Sequence, residues 1–109
     1  MQQKIEQFVI STAQQEAHNQ LNEIEYNFIN TEYFNPAPDD EAALKACYQA
    51  LLEGEDEPWW YCWQMIADEI PDMMNEQEDV DTTLAEAKKL LQETFEKSVL
   101  EGLKRHYQF

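Results

Sequence analysis

Three observations predict an all-α fold, a compact antiparallel bundle of four to five helices forming one domain over residues 1–109. Apolar residues recur at steps of three and four along most of the chain, the period of a helical face. Only two glycines and four prolines are present, too few for a fold rich in hairpins. A hydrophobic content of 43% and an aromatic content of 12% supply a core and argue against disorder, despite a net charge of −16. A chain of 109 residues can bury such a core without staples.

Ile5, Phe8, Val9, Ala13, Ala17, Leu21, Ile24 and Phe28 mark one face of a first helix, from Gln3 to about Asn30. Its weak point is His18–Asn19, where helix propensity falls. Tyr26, Tyr33 and Phe34 make its end aromatic, and Asn35-Pro36-Ala37-Pro38 stops it, because each proline disfavours the α region in its predecessor. Asp39 is the expected N-cap of a second helix, with Asp40 and Glu41 in its first turn. Ala43, Leu44, Cys47, Tyr48 and Leu51 form its apolar stripe, and Gly54 is the expected C′ residue.

Pro58 suits the first position of a third helix, where its missing N–H costs nothing. Trp59, Trp60, Tyr61, Cys62, Trp63, Met65, Ile66 and Ile70 then fall on nearly all of its sides. Pro71 ends or kinks it, with Asp72–Asn75 as one further turn before the acidic linker Glu76–Asp81. A last helix starts at a Thr83/Glu86 capping box, with Asp81 as the rival cap. Leu84, Ala87, Leu91, Phe95, Val99 and Leu103 follow on one face up to Tyr107.

Charge is distributed very unevenly. From Ile5 to Ala87 there are twenty acidic residues and one basic residue, Lys45, a net charge of −19. From Lys88 to Phe109 five basic residues meet three acidic ones, for +2, and Lys4 completes the total of −16. The basic residues of that last helix alternate with Glu93, Glu96 and Glu101 at spacings that suit pairing within the helix. Direct nucleic-acid binding is disfavoured, since phosphate contacts need lysine and arginine. Mutual repulsion predicts a monomer and a fold stabilised by salt.

No chemistry-bearing motif competes with the charge. Neither His18 nor His106 belongs to a Glu-x-x-His pair, so a di-iron site is not expected. Glu76–Asp81 has no glycine and no EF-hand spacing. Cys47 and Cys62, with fourteen residues between them, match no metal or redox spacing and read as buried thiols. Nucleophile, base and phosphate-loop signatures are lacking as well. The expectation is a non-enzyme without metal or cofactor, in the cytosol: the N-terminus has no apolar h-region and no run is long enough to span a membrane.

The candidate site is the run Glu53, Glu55, Asp56, Glu57, Trp59, Trp60, Tyr61, with Glu76, Glu78, Asp79 and Asp81 as a second acidic loop expected nearby. Most of the rings belong to a core, yet successive helical residues point about 100° apart, so at least one must reach the surface. Aromatic anchors beside carboxylates suit a basic protein partner. In physical character, though in no shared motif, Glu55-Asp56-Glu57 followed by Trp59-Trp60-Tyr61 resembles the nuclease-colicin immunity proteins. In that family, adjacent tyrosines among carboxylates block a basic DNase. The resemblance implies an immunity or antitoxin-like inhibitor of a basic partner, a toxin or other nucleic-acid-binding protein. A DNA mimic directed at a DNA-binding or defence protein and an adaptor with a solubilising acidic surface are the alternatives.

Overall fold

The computed structural model describes residues 1–54 and 57–109. Four α-helices carry the architecture: α1 (Gln3–Asn22), α2 (Glu41–Gly54), α3 (Trp60–Met73) and α4 (Val80–Tyr107). A π-helical turn, Glu25–Ile29, and a 3-10 turn, Glu32–Phe34, lie between α1 and α2. The expected all-α bundle is the fold observed, and the described residues contain no strand.

The spine is α4. Its 28 residues rise about 42 Å, most of the molecule's 50 Å long axis. Helix α1 runs beside it in the same direction: Gln2 Nε2 donates to Glu78 Oε1 at 2.6 Å near the start of α4, and Leu21 meets Gly102 near its end. Helix α2 runs the other way, with Glu41 Oε1 3.0 Å from Lys104 Nζ and Gln49 Nε2 donating to Glu96 Oε1 at 3.3 Å. Helix α3 also opposes α4, since the Lys88 ammonium lies over Trp59, Trp60 and Trp63 while Met73 leads through a short loop into Val80. Thus α2 and α3 are antiparallel to α4, whereas α1 is parallel to it. Helices α2 and α3 therefore point the same way along α4.

Ile5, Val9, Ala13 and Ala17 of α1 are fully buried, as are Ala87, Leu91, Phe95, Val99 and Leu103 of α4. Each row advances in steps of four, and its alanines let the two backbones approach. Gly102 extends that close approach: a Cβ there would stand 2.9 Å from Leu21 Cδ2. Leu44, Tyr48 and Leu51 of α2, Cys62, Ile66 and Ile70 of α3, and Phe28 and Phe34 of the connection complete one core cluster.

Several boundaries differ from expectation, each for a visible reason. Helix α1 passes through His18–Asn19 and ends at Asn22, where Gln20 O accepts from Glu23 N–H at 3.3 Å and from Asn27 Nδ2 at 2.9 Å. Asp40, one residue beyond Asp39, caps α2: its Oδ1 accepts from Ala43 N–H at 2.7 Å. Gly54 is the last residue of α2 and has no left-handed φ. Glycine there provides room, because a Cβ would run into the Tyr33 ring.

Helix α3 begins two residues after Pro58, with Trp60 N–H donating to Glu57 O at 3.0 Å, and it continues through the exposed Pro71. Asp79 caps α4 in place of Thr83 or Asp81. Its carboxylate accepts from Asp81 N–H at 3.1 Å and from the Thr82 hydroxyl at 2.9 Å. Thr83 is buried one turn inside the helix. The ion pairs of the described residues leave α4 instead of running along it: Lys104 reaches Glu41, and Glu86 reaches the Met1 ammonium at 3.7 Å.

Candidate functional site

The aromatic run is divided by the phase of the helix. Trp59 is only 3% exposed and belongs to the core, with Cys62, Ile66 and Ile70 below it. Those four positions recur at steps of three, four and four, the inner stripe of α3. Turning them inward turns Trp60 and Tyr61 outward, to 41% and 83% exposure. Trp59 is therefore corrected from an exposed anchor to a buried one: its ring, centroid 6.4 Å from that of Trp60, backs the exposed indole.

The outer face continues beyond the aromatics. Met65 is 51% exposed, and Asp68, Glu69 and Asp72 are exposed at the next helical steps. Helix α3 contains no lysine, arginine or histidine, and none of these carboxylates forms an ion pair among the described residues. An aromatic end thus grades into an unneutralised acidic end on one face. Tyr26, 81% exposed on the π-helical turn, lines a shallow hollow with Leu51 and Pro58, which puts it at the aromatic end.

The two acidic loops lie at opposite ends of α3, about 20 Å apart for its 14 residues, not side by side. Glu53 and Glu57 are exposed at the aromatic end, while Glu55 and Asp56 lie outside the described residues. At the other end Glu76 and Asp81 are exposed. Glu78 is half-buried and holds Gln2, and Asp79 is committed to capping. Hydrogen bonds from the Thr82 hydroxyl and backbone, with a smaller one from Asp81 N–H, hold the Asp79 carboxyl below the usual range.

One cation enters this region. Lys88 is half-buried on α4, and its Nζ lies 5.7, 5.9 and 6.0 Å from the ring centroids of Trp59, Trp60 and Trp63. Among the described residues it forms no ion pair with a carboxylate of its own helix, contrary to the pairing expected within α4. By contrast, the groove of about 560 Å³ between α2 and α4 has a Leu44 and Leu100 floor and nearly balanced walls. Glu41, Glu93, Glu96 and Glu101 face Lys45, Lys97 and Lys104 there, so the groove lacks the one-signed field of α3.

Among the described residues, no group of three or more His, Cys, Asp or Glu is placed to hold a metal ion. Burial, with a smaller effect from Glu16, pushes the Cys62 thiol up to about 11, and burial raises Cys47 as well. Both thiols stay protonated at neutral pH and are poor nucleophiles. No described helix is long and apolar enough to cross a membrane. No protein-family model, curated protein or solved structure matches the chain.

Met65, Asp68, Glu69, Asp72, Tyr26 and Lys88 are the members of the face that the loop-centred reading missed. For the α3 residues the signal was present, since the buried spacing of Trp59, Cys62, Ile66 and Ile70 leaves these positions outside.

Proposed function

We propose that this chain is a non-catalytic acidic binding protein that docks a basic protein on the outer face of α3. The partner is a nuclease toxin or another nucleic-acid-binding protein whose nucleic-acid site becomes covered. One observation carries the reading: exposed Trp60 and Tyr61 are continuous with the unneutralised Asp68, Glu69 and Asp72 on a helix without a basic residue. Rigid aromatics supply contact area, and a field of one sign accelerates encounter with an opposite charge.

The dimensions say what else must take part. A helix face about 20 Å long and about 10 Å wide offers about 200 Å², a quarter of the ~800 Å² each partner contributes to a standard interface. Exposed Tyr26 and Glu57 at one end and Glu76 at the other are available to extend it.

The test begins with affinity capture on the immobilised protein, followed by titration of the purified partner from about 50 to about 300 mM NaCl. Association should slow as salt rises. Tyr61→Ala should speed dissociation, and amide replacements at Asp68, Glu69 and Asp72 should lower the association rate. Stoichiometric addition should suppress nucleic-acid binding or cleavage by the partner. Loss on carboxylate replacement with no effect of Tyr61→Ala would favour DNA mimicry. Indifference to both, and to salt, refutes the proposal.

A further inference from the structure

Lys88 is the first basic residue after Lys45, and among the described residues no carboxylate lies within ion-pair distance of its ammonium. In a chain of net charge −16 that placement is unexpected. The ammonium instead sits almost equidistant, at 5.7 to 6.0 Å, from three indole centroids. All three distances fall within the range where the negative face of an indole attracts a cation. Trp59 is the buried floor of the cradle, Trp63 its half-buried wall and Trp60 its exposed lip. Trp60, exposed, joins the cradle to the edge of the outer α3 face, and its present occupant is tethered by a flexible four-carbon stem.

We propose that the Trp59–Trp60–Trp63 cradle receives a lysine or arginine side chain of the basic partner, and that Lys88 fills it in the unbound protein. The inference rests on the basic-partner reading and specifies its chemistry. An incoming guanidinium stacks on indole more effectively than an ammonium. The displaced Lys88 ammonium swings into solvent, where the strong negative field of the chain still stabilises it. Lys88 thus acts as an internal competitor that sets a threshold: a strongly basic partner with a projecting side chain displaces it, and a diffuse positive surface does not.

The experiment uses the full chain and a short, blocked oligo-arginine peptide as probe, followed by tryptophan fluorescence and calorimetry at low salt. Lys88→Met removes the competitor. Lys89→Met removes the same charge from the next, exposed position, which touches no aromatic ring among the described residues. Lys88→Met should bind the peptide about fivefold more tightly than Lys89→Met, the worth of one cation–π contact. Lys88→Arg keeps a cation in the cradle and should bind the peptide no more tightly than the parent protein, and adding Trp60→Leu to Lys88→Met should cancel the gain. Should Met at position 88 lower the melting temperature, Lys88→Gln carries the same comparison. Equal gains from Lys88→Met and Lys89→Met overturn the cradle while leaving salt-dependent binding, and with it the basic-partner reading, intact. No peptide binding by any variant at low salt overturns both.

Discussion

Tyr48 puts a measurable cost inside the core. Its ring is fully buried on α2, and its hydroxyl has no hydrogen-bond partner among the described residues. A buried, unsatisfied hydroxyl costs about 1–3 kcal/mol, and the small void left by deleting one oxygen returns part of that. Tyr48→Phe should therefore stabilise the fold by about 1 kcal/mol. With an unfolding entropy of about 2.1 cal/mol/K per residue, 109 residues give about 0.23 kcal/mol/K, so the melting temperature should rise by about 4 °C. Thermal melts followed by far-ultraviolet circular dichroism at pH 7 read this directly. The alkaline limb supplies a second readout. Burial, reinforced by the Glu96 carboxylate, raises the Tyr48 phenol well above its ordinary value. Only the unfolded chain then releases that proton just above about pH 10, so stability is full below about pH 10 and falls as pH rises further. Cys62, raised from 9.0 to about 11, starts a similar loss earlier, but it does so equally in both proteins. The advantage of Tyr48→Phe should widen above about pH 10. A Phe variant that melts lower at pH 7, or tracks the parent at high pH, would show that the hydroxyl is satisfied and the reasoning wrong.

Three further expectations follow from the same contacts. Raising NaCl from about 50 to about 300 mM should raise the melting temperature, because screening relieves repulsion within the −19 segment; a fall would mean that attractive pairs dominate. Asp79→Ala should lower the melting temperature more than Asp81→Ala, since both remove one charge and only Asp79 caps α4. Its contribution should fade as pH falls below the ordinary carboxylate range, because the folded-state value is depressed. Gly54→Ala should destabilise by about 1–3 kcal/mol through the Tyr33 ring; stabilisation, as alanine gives at an open helical site, would show that the ring swings aside freely.

How much was legible depended on whether one periodicity decided the question. The row Ala87, Leu91, Phe95, Val99, Leu103 could be read directly, and the structure buries every member. The start of α4 could not. Thr83 has the chemistry of a cap, but it occupies the next position of that buried row, so the cap falls to Asp79. In α3 the apolar run covers all sides, and a motif-by-motif reading grouped Trp59 with Trp60 and Tyr61. The phase of Trp59, Cys62, Ile66 and Ile70 separates them. Other features lay beyond local sequence altogether. That α1 runs parallel to α4, and that Lys88 reaches the indoles, both depend on how the helices pack against one another.

Helix α3 divides its work between two faces that pull stability in opposite directions. The inner stripe of Trp59, Cys62, Ile66 and Ile70 closes the core, and truncating any of them removes buried area. The outer face does the reverse. Asp68, Glu69 and Asp72 have no cationic partner among the described residues, so they add to the self-repulsion of the chain, while Trp60, Tyr61 and Met65 leave apolar surface in water. The proposed basic partner would relieve both penalties in one step, by neutralising the carboxylates and covering the rings. Amide replacements at Asp68, Glu69 and Asp72 should accordingly raise the melting temperature of the free protein while weakening its complex. A face that supports the fold would lower both quantities, and one that merely keeps the chain in solution would raise the melting temperature and leave the complex unchanged, so the opposition of sign marks a surface used for binding.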